Sequence, residues 1–440
     1  MNCVATGDNT CIFTGNPQVT FFKTCFKQYS HFNKVFRTLP YLGGLPGPNS
    51  GGNIIFELSK GSDLITNLSL NLHITIDISG VTDGSNNNRI SFNAGDRNGG
   101  IGPLILSLFQ SIILKIGSET VVELNEQMLI TEFVRFYNYH ERLFLQHACG
   151  DVYTGSCAGT LDNSGNGTNF NKHFFKLPLE PFFWFCQSKG LALPITALDC
   201  NSEKVRIEFK TRNKLPQIAY YPGDDDKAIT NFSIFNAELI SEEIILDCDE
   251  AIRFKNCSHT YFAQSYSDIL KKELTSSSNN TNVTIPIHDY LSGHVSEIVF
   301  WYTDASYNIC NHNYPGPRNT LITIIARQHY NSNVKIKVNH NCLAEAPLGE
   351  FLTYTQNFAT FLSDSSGNCV SAPAIACYNF GALNTSFPTG TADFDCVDSA
   401  TIEIPATIYN RIDLKKANQF NLYGRQWKVM RISGGKAHWC

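Results

Sequence analysis

The stretch Ser111-Ile112-Ile113-Leu114-Lys115-Ile116-Gly117-Ser118-Glu119-Thr120-Val121-Val122-Glu123-Leu124 decides the fold class. Two apolar, β-branched runs flank Gly117-Ser118, and glycine there supplies the positive φ that a tight turn needs. The spacing predicts a hairpin with strands over 111–116 and 119–124. Directly afterwards the period changes: from a capping Asn125, the residues Leu129, Phe133, Phe136 and His140 recur at helical spacing. A helix there is expected to cover one edge or end of a sheet.

Outward from the hairpin, strand-length apolar or alternating segments recur at 53–58, 68–78, 205–209, 297–302, 321–325, 333–338 and 400–404. Long loops rich in Gly, Asn, Ser and Asp separate them at 80–100, 150–171, 276–282, 304–319 and 363–372. Such loops are tolerated on a rigid β-scaffold. A chain of 440 residues exceeds what one core supports, so two domains are expected. The Pro, Gly and Asp-rich stretch 215–232, with Tyr220-Tyr221-Pro222-Gly223 and Asp224-Asp225-Asp226, reads as the linker. The expected organisation is an N-terminal segment 1–37, a first β-half 38–214 and a second 233–440. The fold class is all-β, each half fitting a sandwich or jelly roll of about eight antiparallel strands, with long loops and a few short helices. The halves share no clear sequence repeat. A short linker makes them pack together, and their interface should bury apolar faces around 191–198.

Composition narrows the function. With 42% hydrophobic and 12% aromatic residues the chain can fill cores, while charged residues reach only 17%. A net charge of -5 offers phosphates no positive field, so nucleic acid is not an expected partner. The longest apolar stretch, 101–116, contains Gly102, Pro103, Gln110 and Lys115 and is not expected to span a bilayer. No secretory leader is recognisable. The 15 cysteines are scattered, odd in number and without CxxC pairs, and read mostly as buried thiols in a reducing compartment.

No nucleophile with its base, paired carboxylates or phosphate-binding glycine loop stands out, so no catalytic residue and no cofactor are expected. His288, His294, His312, His329, His340 and Cys310 lack the spacing of a zinc site, so no metal is assigned. The acidic run Glu242, Glu243, Asp247, Asp249 and Glu250 lacks a calcium-loop pattern and reads as a solvated strand edge. Of seven Asn-x-Ser/Thr triplets, Asn279 and Asn282, in the most polar loop, are the candidate glycosylation sites. The segment 21–37 interleaves aromatics with basic residues, a pattern that suits protein packing, a membrane surface or single-stranded nucleic acid. Trp184 and Trp301 sit in apolar blocks and read as core, which counts against a carbohydrate-binding jelly roll.

Several blocks, in order, resemble the double jelly-roll major capsid proteins of nucleocytoplasmic large DNA viruses. They begin with Thr14-Gly15-Asn16-Pro17-Gln18-Val19-Thr20-Phe21-Phe22-Lys23 and Gly61-Ser62-Asp63-Leu64-Ile65. Leu191-Ala192-Leu193-Pro194-Ile195-Thr196-Ala197-Leu198 is similar to the block that ends that family's first jelly roll. His294-Val295-Ser296-Glu297-Ile298-Val299-Phe300-Trp301 resembles a strand of its second half. Tyr378-Asn379-Phe380, Pro388-Thr389-Gly390-Thr391 and Val429-Met430-Arg431-Ile432-Ser433-Gly434-Gly435 complete the series. Asp393-Phe394-Asp395-Cys396-Val397-Asp398 departs from the family's usual Asn-Phe-Ser-Arg-Ile-Asp.

The resemblance implies that the halves are two consecutive antiparallel eight-stranded jelly rolls, a first jelly roll 38–214 and a second 233–440, in a non-enzymatic capsid protein forming homotrimeric, pseudo-hexagonal capsomers that tile an icosahedral shell. The implied partners are neighbouring capsomers, minor capsid proteins and an inner viral membrane beneath, and the implied location is the virion, assembled in host cytoplasm. The resemblance also places Phe21, Phe22, Lys23, Phe26 and Lys27 at the capsomer base, against minor capsid proteins. A minor-capsid or assembly-scaffold paralogue of the same fold stays open at this point.

Overall fold

A computed structural model describes residues 29–48, 50–58, 61–78, 89–91, 104–137, 141, 145, 160–162, 172–199, 202–212, 218–221, 226–227, 229–274, 282–304, 333–347, 376–381, 389–405 and 418–439. Alternation builds the strands. In Leu64–Ile78 the residues Leu68, Leu70, Leu72 and Ile74 are buried while Asn67, Ser69, Asn71 and His73 face outward. Each such buried Leu or Ile contributes about 1.5–3 kcal/mol. Phe56, Phe109 and Phe209 interlock at the centre of the first core, with ring centroids 5.3 and 5.8 Å from Phe209.

Two antiparallel sandwiches result. In the first, one sheet follows the order Phe32–Pro40, Ile229–Leu246, Leu64–Ile78, Lys172–Pro178. Its partner sheet runs Asn53–Glu57, Val205–Thr211, Phe109–Ile116, Glu119–Asn125. In the second, His259–Tyr266, Asn418–Ser433, His294–Asp304 and Ala376–Asn379 face Val283–Pro286, Ala400–Ile404, Asn333–Val338 and Asn341–Pro347. Numbered along the chain, the main strands of both halves pair as first, eighth, third, sixth in one sheet and second, seventh, fourth, fifth in the other. That order is a jelly roll, and it occurs twice. Short segments such as Leu193–Pro194 and Lys436–Trp439 extend the larger sheets.

The expected hairpin forms, with Gly117 at φ +62 and Ile116 opposite Glu119. The helix covers Glu126–Phe136, and the expected His140 position lies outside the described residues. So does the strand expected at 321–325. The other predicted strand segments coincide with strands.

Two expected boundaries need correction. Ile229–Leu246 is the eighth strand of the first roll, pairing with Phe32–Pro40 on one side and Leu64–Ile78 on the other. The chain therefore passes to the second roll through the helix Cys248–Asn256, downstream of the expected linker 215–232. Within that stretch, Ile218–Tyr221 and Asp226–Lys227 join Arg89–Ser91 and Thr160–Asp162 in a small sheet of loop insertions. Turn-rich composition marks a long loop as readily as a linker, which is why sequence placed the change-over early. The arm is shorter than 1–37, because strand Phe32–Pro40 already belongs to the first roll.

The acidic run is not a solvated edge. Glu243 is fully buried on the inner strand Ile229–Leu246, where Arg37 pairs with it at 3.0 Å and the Ser241 hydroxyl donates to it at 2.7 Å. Lys34 pairs with Glu242 at 2.9 Å. Asp247 caps the next helix and Asp249 and Glu250 occupy its first turn, where carboxylates complement the helix dipole. The cysteine expectation also changes: of the six described, all free, Cys186 and Cys377 are buried while Cys248, Cys257, Cys342 and Cys396 are exposed.

Candidate functional site: the seam between the jelly rolls

The strand His294–Asp304 breaks alternation because it is buried on both faces. Val295, Ile298 and Phe300 fill the second roll's own core, while Val299 and Trp301 pack into the core that extends from the first roll. Strand Asn418–Ser433 divides the same way, with Phe420 and Leu422 inward and Tyr423, Met430 and Ile432 toward the first roll. One sheet of the second roll is thus the seam. Leu193, Ile195 and Leu198 join this shared core, and the Asp199 N–H donates to the Gly435 carbonyl at 2.7 Å, so the 191–198 block lies at the interface as expected.

The first roll answers with the helix Glu126–Phe136. Asn125 caps it by accepting from the Met128 N–H at 3.2 Å. Glu126 in its first turn and Arg135 in its last complement the dipole. Met128, Leu129, Ile130 and Phe133 are buried, and so are the polar Gln127, Thr131 and Glu132. At the helix start, buried Glu126 pairs with buried Arg212.

Four buried charges close a ring across the seam. Arg135 Nη1 donates to Glu132 Oε1 at 2.9 Å, and Arg135 Nη2 donates to Glu297 Oε1 at 2.5 Å. Arg425 Nη2 donates to Glu132 Oε2 at 2.7 Å, and its Nη1 lies 3.7 Å from Glu297 Oε2. The Tyr423 hydroxyl donates to Glu132 Oε1 at 2.5 Å, and the Tyr266 hydroxyl to Glu132 Oε2 at 3.5 Å. Glu297 and Arg425 are cross-strand neighbours, beside a bulge between Val295 and Glu297. The side chains of Glu132, Glu297 and Arg135 are 1%, 2% and 4% exposed, so water cannot screen them. Burial pushes the Glu132 carboxyl up, but Arg425, Arg135 and the Tyr423 hydroxyl outweigh it and hold it below the ordinary glutamate range. Burial would lower Arg135, yet Glu297 and Glu132 raise it well above its usual value.

An opposite feature marks the outer face of the first roll. A bulge between Ile234 and Asn236 places Phe235 beside His73, whose ring also meets Phe174 at 4.5 Å. Phe174 and Phe235 are 64% and 41% exposed. Apolar clusters of this kind mark contact surfaces.

The residues singled out from sequence fall elsewhere. Phe21, Phe22, Lys23, Phe26, Lys27, Asn279, Cys310, His312 and His329 lie outside the described residues. Asn282 is exposed, and its amide donates to Glu403 Oε1 at 2.8 Å. His288 meets Asp289 at 3.0 Å, His340 sits in a turn at φ +66, and His294 lines a cavity of about 530 Å³ with Asp393 and Asp395. Among the described residues no three metal-binding groups converge. Trp184 and Trp301 are buried, as expected. The sequence reading missed the ring itself; its one visible trace was the unbroken apolar run Ile298-Val299-Phe300-Trp301, which signals a strand covered on both sides.

Residues 20–237 match the family model described as "Major capsid protein N-terminus". The major capsid protein of Pyramimonas orientalis virus is 26% identical over 298 residues, covering 66% of this chain but only 63% of that protein. The major capsid protein of Paramecium bursaria Chlorella virus 1 is 22% identical, across 98% of this chain and 96% of its own length. A solved structure, the PBCV-1 virus capsid, aligns over 96% of this chain and 99% of its own with a TM-score of 0.63 at 18% identity, a likeness of fold. In sequence the chain is similar to major capsid proteins of large DNA viruses, and its fold is the double jelly roll found in the solved capsid structure.

Proposed function

We propose that this chain is a structural capsid protein of a large double-stranded DNA virus, three copies of which form one pseudo-hexagonal capsomer. The observation that carries the reading is the repeated strand order: two jelly rolls packed side by side give six similar sandwiches around a threefold axis. The role is structural rather than enzymatic. The exposed ring cluster of Phe174, His73 and Phe235 supports it, since a shell protein needs apolar surface to bury against neighbours. The partners in this reading are other copies, neighbouring capsomers, minor capsid proteins and an inner viral membrane. Phe21, Phe22, Lys23, Phe26 and Lys27 are the base contact, Asn279 and Asn282 the sites of attached sugar, and the virion, assembled in host cytoplasm, is the location.

Quantitative mass spectrometry of purified mature particles tests the reading. A capsid protein ranks among their most abundant chains. A minor-capsid paralogue would be present at a small fraction of that level, and an assembly scaffold would be absent; either result overturns the proposal.

A further inference from the structure

We infer that the closed ring Glu132, Arg135, Glu297 and Arg425 sets the angle at which the two jelly rolls meet, making these four positioning residues for capsomer formation. The inference rests on the capsid reading above. Adhesion between the rolls does not need the ring. Val299, Trp301, Tyr423, Met430 and Ile432 already supply apolar contact, which is non-directional and tolerates small slips and rotations. Buried ion pairs lose so much hydration that well-packed apolar side chains hold an interface as well or better. What charges add is geometry.

The connectivity makes the geometry strict. Glu132 and Arg135 belong to the first roll, Glu297 and Arg425 to the second, and carboxylate alternates with guanidinium around the ring. Two of the four links cross the seam, Arg135 to Glu297 and Arg425 to Glu132. A one-residue slip of strand Asn418–Ser433 would move Arg425 by about 3.3 Å and turn it to the other sheet face. That slip would break the link from Arg425 to Glu132, and a shift of the whole second roll by as much would break both crossing links, leaving charges of both signs buried without their partners. The apolar seam alone carries no such penalty, so wrong docking angles would compete with the right one. A trimer closes only if every chain presents its two rolls at the same angle.

The test replaces the ring by apolar side chains of similar size, in a variant with Glu132→Leu, Arg135→Met, Glu297→Leu and Arg425→Met, plus Tyr266→Phe and Tyr423→Phe to remove stranded hydroxyls. Light scattering and thermal melting are read on the full chain. Expected is a folded protein melting within about 5 °C of the wild type whose trimer falls apart at concentrations at least about tenfold higher than the wild type's. Undiminished trimer formation would overturn the inference. If the variant does not fold, the single substitution Glu297→Gln decides by amide hydrogen exchange. Weakened trimers with sheet cores of both rolls still protected support positioning, whereas loss of protection throughout both rolls, or unchanged trimers, overturns it. A wild-type chain that never trimerises fails the capsid reading instead, before any variant is compared.

Discussion

Glu132 lies between two guanidiniums, only one of which comes from a sequence neighbour. Its pairing with Arg135, three residues on, follows from helical spacing. Its other cation, Arg425, stands 293 residues away, and Arg135 finds Glu297 across 162 residues. No local pattern encodes such distances, which is why the ring was illegible in the sequence while the helix carrying half of it was plain. The acidic run failed for a related reason: Glu242 and Glu243 look solvated until Lys34 and Arg37 arrive from the strand alongside. Replacing Glu132 by Gln leaves two buried guanidiniums sharing the single carboxylate of Glu297, and stability at pH 7 should fall by about 3–5 kcal/mol in denaturant titrations. The loss has a defined pH dependence. Because the folded carboxyl titrates below its unfolded value of about 4.3, its contribution is complete above that value and is lost as pH falls through the folded one. The gap between wild type and Glu132→Gln should therefore stay constant from pH 7 to about 5 and close in stronger acid. A gap that widens in acid would contradict the assignment.

Elements with local causes were read well. The hairpin followed from two apolar runs and a glycine, and the helix from Asn125 and the change of period, because turn and cap chemistry act within a few residues. Gly117 provides the check at this scale. Its φ of +62 strains any side chain placed there, while the Glu203 carboxylate, 2.6 Å from an added Cβ, is a flexible end that can move aside. Gly117→Ala should cost about 1–2 kcal/mol from left-handed strain, measured as a shift in urea midpoint. No shift would mean that the turn relaxes freely. Pairing between distant elements was less legible. Strand patterning resumes at Ile234, and sequence reasoning assigned that strand to the half it precedes, whereas it returns to lie between Phe32–Pro40 and Leu64–Ile78. Alternation tells that a strand exists and which face is apolar; it does not name the neighbour.

At the scale of the whole molecule, two jelly rolls were foreseeable from length, strand density and the ordered blocks, but of their seam only the 191–198 side was, since a sheet covered on both faces shows only as an unbroken apolar run. The six described cysteines are free, so reductant should leave the melting temperature unchanged, where loss of a structural disulfide would cost about 2–5 kcal/mol. A drop of many degrees in dithiothreitol would reveal a bridge elsewhere in the chain. The central claim is that two like sandwiches per chain exist to build a threefold block. Its most direct test is the mass of the purified chain in solution by light scattering at micromolar concentration. Three chains of 49.1 kDa each, about 147 kDa, are expected to stay together on dilution, held by large buried interfaces. A single species at the mass of one chain would contradict it.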